Sequence, residues 1–285
     1  MTWNLHLIDL HTHTTASDGT FSPAKLVHLA KDEGLQAVAI TDHDTIAGNA
    51  EALTIGREIG IEVVPGVEIS ADSPFGSIHI VGLLIDTEDE KMESILTELR
   101  EYRYKRNVKM IDLLVGMGIP ITMEELVVIS GGDLVGRPHF AALLVSKGVV
   151  SSYQEAFNKY LKAGGKAYLD KKRLPVNEAI LMIKNSGGIP ILAHPYVLRI
   201  KDEENIEANI EYLVELGIEG IEVFYSEHSR GDEALFADLA RRHSLLVSGG
   251  TDFHGDVKPG VSLGRGHGNL NIPYYLLESI KEMVA

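Results

Sequence analysis

The chain has 285 residues, of which 45% are hydrophobic and 24% charged, which fits one large α/β domain with room for an insert. It contains no cysteine, which excludes disulfides and thiolate metal sites, so any metal must be held by histidines and carboxylates. Its net charge of −15 would repel nucleotides and nucleic acid if it were spread evenly over the surface.

Targeting signals are not evident in the sequence. The first residues lack the basic and apolar regions of a signal peptide, and no stretch approaches 18 uncharged apolar residues. We therefore expect a cytoplasmic protein with no membrane contact, and we infer no protein partner.

The first predicted strand is a short apolar run, residues 7–13, that ends in His11 and His13. Residues two apart in a strand point to the same face, so the two imidazoles should project together. Two neutral imidazoles on one rigid face form half of a metal site, although chance explains an isolated pair equally well.

Helices and strands alternate after this point. Ser22-Pro23 is typical of a helix start, and Gly34 of a helix end. Apolar runs predict further strands at residues 37–40, 62–68 and 77–84, and a helix up to about Gly60 separates the first two of these.

A helical segment then interrupts the alternation, from about residue 88 to residue 165, and begins with a long helix up to about Met117. Residues 95–173 carry 13 lysines and arginines against 8 acidic residues, although the whole chain is acidic. Pattern and charge together predict a basic helical insertion at 95–173, which caps a metal-binding barrel formed by residues 1–94 and 174–285.

The alternation resumes at Pro175, with strands predicted at residues 189–193, 220–224 and 245–249 and a last helix after Pro273. Seven strands, mostly followed by helices, predict an α/β fold with parallel strands and barrel-like closure. In such barrels the chemistry lies at the carboxyl ends of the strands.

Possible metal ligands follow almost every predicted strand. They are His11, His13, Asp18, Asp42, His43, Glu68, His79, His194, Asp252 and His254. If they converge on one rim, their carboxylates would repel one another, and two or three divalent cations would relieve that repulsion. The pattern therefore predicts a multinuclear metal site.

These residues resemble the motifs of the PHP (polymerase and histidinol phosphatase) superfamily of metal-dependent phosphoesterases. The matching motifs are Asp9-Leu10-His11-Thr12-His13, Ser17-Asp18-Gly19, Thr41-Asp42-His43, Pro65-Gly66-Val67-Glu68, His79, Ala193-His194-Pro195 and residues 248–254. The resemblance implies a distorted (β/α)7 barrel, here with an inserted small helical domain.

The resemblance also implies three metal positions. The first would be held by His11, His13, Glu68 and Asp252, the second by Asp18, His43 and His254, and the third by Glu68, His79 and His194. Asp42 is interpreted as an acceptor that orients His43. The ions would be Mn, Fe or Zn, between which the sequence does not choose.

Such a site would hydrolyse a phosphate monoester with water that the metals activate. The leaving oxygen needs a proton, for which His228 is the candidate catalytic residue, and His194 is less suitable if it binds metal. Arg137 and Lys166 of the insertion, together with Arg199 after the His194-Pro195 turn, predict a cationic cap over the rim. Resemblance to one PHP subgroup adds His139, which would face the substrate together with Arg137 and Lys166.

The cap suits a substrate with a second phosphate. One PHP subgroup contains 3′,5′-nucleotide bisphosphate phosphatases and 5′-to-3′ exoribonucleases, and its layout resembles this barrel with its insert. We therefore predict removal of the 5′-phosphate from nucleotide 3′,5′-bisphosphates or short 5′-phosphorylated oligonucleotides. Alternatives are a histidinol phosphate phosphatase, a non-catalytic nucleotide-binding module and a deaminase-like metallohydrolase.

Overall fold

The computed structural model describes residues 7–131, 134–201 and 203–284. Within these ranges the strands are Ile8–Asp9 (β1), Ala37–Ile40 (β2), Glu62–Ser73 (β3), Gly76–Leu83 (β4), Leu174–Pro175 (β5), Ile189–Leu192 (β6), Gly220–Tyr225 (β7) and Leu246–Gly250 (β8). No helix in the described chain has the length and apolar character that a bilayer crossing requires.

The helices of the same ranges are Pro23–Asp32 (α1), Ala47–Ile59 (α2), Glu90–Gly116 (α3), Met123–Ser130 (α4), Arg137–Ser146 (α5), Tyr153–Ala156 (α6), Val176–Asn185 (α7), Tyr196–Lys201 (α8), Ile206–Glu215 (α9), Arg230–Arg242 (α10) and Tyr275–Glu282 (α11). Their starts follow the local sequence. Ser22, for example, accepts a hydrogen bond from the Lys25 amide ahead of Pro23 at the first turn of α1.

The sheet is an almost closed barrel. Its strand order is β1-β2-β3-β4-β6-β7-β8, with β5 paired to β3. The two ends of this order meet, because the Leu10 amide donates to the Gly249 carbonyl over 3.1 Å and the Asp252 amide to the His11 carbonyl over 2.8 Å. The predicted barrel architecture is confirmed, and the chain order brings the first and last motifs together.

The prediction that the strands are parallel is wrong for β4. This strand is antiparallel to both of its neighbours, β3 and β6. The chain reverses directly from Ser73 to Gly76 through Pro74-Phe75, and so short a connection cannot carry a parallel crossover. The long β3, which continues to Ser73, forms one arm of this hairpin.

Helix α3 connects the barrel with the inserted helices. Its first half buries Met92 and Leu96 in the barrel core, and its second half buries Met110 and Leu114 in a separate core of the insert. Helices α4–α6 and the short π-helix Phe157–Leu161 complete that second core. The division at residue 95 remains a prediction, since α3 runs unbroken across it.

Candidate metal centre

The side chain of Glu68 is the centre of a group of imidazoles at one rim of the barrel. Its carboxylate oxygens lie 2.7 Å from His43 Nδ1, 2.8 Å from His79 Nδ1 and 3.0 Å from His194 Nε2. The Nε2 atoms of His11 and His13 lie 3.4 and 3.3 Å away. Five imidazoles from four parts of the chain therefore surround one buried carboxylate.

Asp18, Asp252 and His254 complete the rim on the side of His13. The Oδ1 atom of Asp252 lies 3.1 Å from His13 Nε2, and Asp18 Oδ1 lies 3.3 Å from His254 Nε2. The structure thus brings together all nine predicted ligands.

Their division among metal positions remains a prediction. Possible ligand atoms lie within 4.8 Å of one another in four groups: His13, Asp18, His43 and His254; His11, His13 and Asp252; His11, Glu68 and His194; and His43, Glu68 and His79.

Two of the nine do not occupy the strand ends where the sequence placed them. Glu68 lies in the middle of β3, five residues before its end, and His79 lies in the first half of β4. Because β4 is antiparallel, its first half reaches the rim formed by the carboxyl ends of the parallel strands. The turn residues Pro74 and Gly76 are the sequence signal for this reversal.

Several ligand atoms are buried without a well-formed hydrogen bond. Within the described chain these include His11 Nε2, His13 Nε2, His43 Nδ1 and Glu68 Oε2, and all four point into the same space. Buried polar atoms without partners are costly, so such a group requires a ligand. Imidazole nitrogens with carboxylate oxygens form a donor set for divalent transition metals, and the residues therefore fit the metal centre implied by the resemblance.

The charges of the site also fit cations. Burial lowers the pKa of His13 to about 3 and that of His79 to about 4, so both are neutral donors at pH 7. Burial opposes the charged form of His254, but Asp252 and Asp18 raise its pKa to about 9. Protons shared between imidazoles and buried carboxylates thus balance the charge, and metal binding would displace them.

Backbone strain supports the same rim. His194 and Asp252 have φ angles of 31° and 55°. These angles place two predicted ligands in the left-handed region that residues other than glycine mostly avoid. Such residues persist where surrounding contacts fix them, and they concentrate at functional sites. Gly250 allows the close approach of β8, since a Cβ there would lie 2.2 Å from His11 Cβ.

Three buried acids support the ligands from behind. Glu222 Oε1 lies 3.1 Å from His11 Nδ1, and its other oxygen accepts from the His194 amide over 2.8 Å. Asp9 accepts from the Thr251 and Gly264 amides over 2.9 and 2.8 Å, and burial raises its pKa to about 6.

The third acid is Asp42, and its predicted contact with His43 is not observed. It accepts instead from Thr14 and Ser17 over 2.6–2.7 Å, and so fixes the loop that carries Asp18.

The sequence analysis missed Glu222, whose signal is a single acid within the apolar strand 220–224. Replacing it by Gln should lower metal affinity about 10- to 100-fold, because the acceptor that orients His11 and raises its basicity is weakened. A chelator competition titration measures the change. Glu219→Gln, at the partly exposed residue just before the same strand, is the control and should leave affinity unchanged. If the Glu222 and Glu219 variants bound metal with equal affinity, Glu222 would not be the residue that orients His11 for metal binding.

The predicted proton donor His228 does not face the rim. It is buried, its Nδ1 lies 2.7 Å from the Val223 carbonyl, and its ring packs 5.0 Å from that of Phe236 on α10. The ring of Tyr225 lies between His228 and His194. Burial lowers the pKa of His228, and its role as the proton donor stays a prediction.

The predicted cationic cap is only partly assembled. Arg137 lies over the ring of Tyr168 at 5.4 Å, whereas Lys166 is exposed. His139 is buried and its Nδ1 accepts from the Gly136 amide over 3.0 Å, which caps α5, and its contact with substrate stays a prediction. The side chain of Arg199 lies outside the described residues.

A group of cations beside the rim shares only Arg137 with the predicted cap, and its other members were missed. We call it the cationic cluster, and its members are Arg103, Arg106, Arg137, Lys171 and Arg173. Arg106 is only 7% exposed, and within the described chain its guanidinium bonds to Asn107 Oδ1 and pairs with no carboxylate.

Burial and the neighbouring arginines lower the pKa of Arg106 to about 9, and burial lowers that of Lys171 to about 8. The sequence signals of the cationic cluster are the arginine spacing at 100, 103 and 106 and the basic run 171–173.

The cationic cluster is adjacent to the metal ligands. Arg103 forms an ion pair with Asp44, the residue after His43, and Lys171 Nζ donates to Ser70 Oγ, two residues after Glu68. Arg103 and Arg173 have carboxylate partners, whereas Arg106 and Lys171 form no ion pair with the described residues. Withdrawing such cations from water is unfavourable unless an anion joins them. The cluster is therefore suited to bind an anionic group of a substrate whose other phosphate lies at the rim.

The cavity above the ligands has a volume of about 310 Å³. Besides the ligands, its walls include Pro138 and Tyr153 of the insert and Lys258 from the loop after β8. Lys258 Nζ lies 2.8 Å from Asp252 Oδ2, and the Tyr225 hydroxyl donates to the same oxygen over 3.1 Å, which leaves Oδ1 for the histidines.

Comparison with known proteins identifies close relatives. A family model described as "PHP domain" matches residues 9–173. The 5′-3′ exoribonuclease Rnm of Escherichia coli is 38% identical over 263 residues, which cover 91% of this chain and 88% of the relative. The 3′,5′-nucleoside bisphosphate phosphatase of Chromobacterium violaceum is 33% identical over 258 residues, 90% of each chain.

A solved structure has the same architecture throughout. A chain from Bifidobacterium adolescentis, described as a metal-dependent phosphoesterase, superposes with a TM-score of 0.85 at 31% identity. The match covers 98% of this chain and 96% of the other.

Proposed function

This chain belongs to the PHP domain family of metal-dependent phosphoesterases, and we propose that its substrates are nucleotides that carry two phosphoryl groups. These are nucleoside 3′,5′-bisphosphates and short 5′-phosphorylated oligonucleotides. The observation that carries the proposal is Arg106, a buried guanidinium beside the metal centre that has no carboxylate partner among residues 7–131, 134–201 and 203–284. A monophosphate would leave this cation unpaired, whereas a second phosphate would pair with it.

The metal centre that we propose holds two or three ions of Mn, Fe or Zn. Such ions neutralise charge on phosphoryl oxygens and lower the pKa of coordinated water, which makes it a nucleophile at neutral pH. The histidines and carboxylates around Glu68 hold the ions. Glu222 orients His11, and Tyr225 with Lys258 orients Asp252, so the ligands are arranged before substrate arrives.

The orientation of the nucleotide can be inferred if one site both cleaves oligonucleotides from the 5′ end and hydrolyses 3′,5′-bisphosphates. The sequence alone predicts removal of the 5′-phosphate. Exonucleolytic cleavage from the 5′ end breaks the ester on the 3′ side of the first nucleotide, and a 3′,5′-bisphosphate carries a phosphoryl group at that same position.

One binding mode serves both substrates if the 5′-phosphate binds the cationic cluster and the 3′ phosphorus faces the metals. We therefore favour cleavage at the 3′ position.

Product analysis tests the substrate and its orientation together. Adenosine 3′,5′-bisphosphate, incubated with the manganese-loaded chain, should release phosphate and leave adenosine 5′-monophosphate. If the product were adenosine 3′-monophosphate, the 5′-phosphate and not the 3′-phosphate would be the group that is cleaved at the metal centre. Hydrolysis of histidinol phosphate without any release from the bisphosphate would instead support a histidinol phosphate phosphatase, although that cationic substrate is a poor match for the cationic cluster.

A further inference from the structure

A second cavity lies beside the metal centre and is larger than the cavity above the ligands. Its volume is about 580 Å³, and we call it the α3 chamber. Helix α3 forms one wall with Arg100, Arg103 and Tyr104, and the barrel loops and the insert form the others, with Thr45, Met123 and Val135 among them. Cavities of this size hold small organic ligands.

The α3 chamber and the metal cavity share a thin wall. Three chain segments each present one part to the chamber and another to the metal cavity: residues 15–18, 43–45 and 134–138. In the first segment, Thr15 and Ala16 face the chamber and Asp18 faces the metal cavity. A substrate bound at the metals could therefore extend over this wall into the chamber.

The lining of the chamber suits a nucleoside. Tyr104 is 57% exposed and offers a flat aromatic face, opposite apolar surface from Met123, Leu134 and Val135. Arg100 adds a partly exposed guanidinium that pairs with Glu93 and lies at the chamber wall. Aromatic faces combined with cations are the usual means by which proteins bind single-stranded nucleic acid.

We propose that the α3 chamber binds the second nucleoside, on the 3′ side of the scissile phosphate, when the substrate is an oligonucleotide. This inference rests on the proposed function, in which the 5′-phosphate of the first nucleotide occupies the cationic cluster. A 3′,5′-bisphosphate has no nucleoside at that position. The chamber therefore distinguishes the oligonucleotide from the bisphosphate as substrates of one metal centre.

The test compares 5′-phosphorylated diadenylate with adenosine 3′,5′-bisphosphate. Tyr104→Ala should raise KM for the dinucleotide about 5- to 150-fold, the effect of losing one base-stacking contact, and leave kcat/KM for the bisphosphate unchanged. Tyr102→Ala is a matched control, because Tyr102 is a 47% exposed tyrosine on the same helix that does not line the chamber.

A second variant tests the chamber from its opposite wall. Ala47→Trp, at the exposed start of α2, would fill part of the volume, and it should likewise raise KM for the dinucleotide and leave kcat/KM for the bisphosphate unchanged. Unchanged dinucleotide kinetics in both chamber variants, or a loss confined to Tyr102→Ala, would overturn the inference while bisphosphate turnover continued. Absence of bisphosphate turnover in the unaltered chain would instead contradict the proposed function.

Discussion

Replacing His11 or His13 by Ala is expected to lower phosphate release at least about a thousandfold, because water without its metals is a poor nucleophile at neutral pH. Both imidazoles have an Nε2 atom that lacks a well-formed hydrogen bond and lies within 3.4 Å of Glu68. Each variant should also bind fewer metal ions per chain, which elemental analysis of the purified protein measures.

The fold should survive either substitution. Both side chains project from the rim, whereas the adjacent Ile8 and Leu10 belong to the core. Circular dichroism and the thermal midpoint Tm check this point, and His28→Ala, on the exposed side of α1, is the control. An unfolded variant, or one that keeps its metal content and loses activity, would show that the role assigned to these histidines is wrong.

Replacing Arg106 by Gln should remove the preference for doubly phosphorylated substrates. A hydrogen bond to a charged group contributes about 1.5–3 kcal/mol, so kcat/KM for adenosine 3′,5′-bisphosphate should fall about 10- to 150-fold. Turnover of a simple aryl phosphate, which has no second phosphate, should stay the same. Steady-state kinetics with the two substrates measure the ratio.

The stability of this variant separates a binding role from a structural one. Arg106 is buried among other cations, so its removal should leave Tm unchanged or raise it. Lys105→Gln, at the exposed neighbouring position, is the matched control and should keep the substrate preference. A lower Tm with both substrates equally impaired would mean that Arg106 only supports the packing of α3.

The sequence predicted which side chains meet at the rim better than the surroundings that position them. These residues were recognisable because His, Asp and Glu are uncommon at the ends of apolar strands, and the family motifs have the same order. Glu68 and His79 reach the rim, although their place in the sheet differs from the prediction, because the direction of β4 depends on a two-residue turn. A carboxyl within a strand, such as Glu222, carries no local sign of the imidazole that it contacts.

The cationic residues show the same limit more strongly. The charge count correctly indicated that the insert is basic, but charge does not reveal which side chains turn inward. Lys166 is exposed whereas Lys171 is half-buried, and the two differ only in how their segments pack. Arg106 is buried because it lies on the inner face of α3, three residues after Arg103, and only the tertiary fold shows which face that is.

Metal loading measured together with turnover tests the central claim most directly. The chain, stripped with a chelator and titrated with Mn²⁺, should show no phosphate release from adenosine 3′,5′-bisphosphate at first and full release once two or three ions are bound per chain. Full activity in the stripped chain, or saturation with fewer than two ions, would contradict a multinuclear centre built around Glu68.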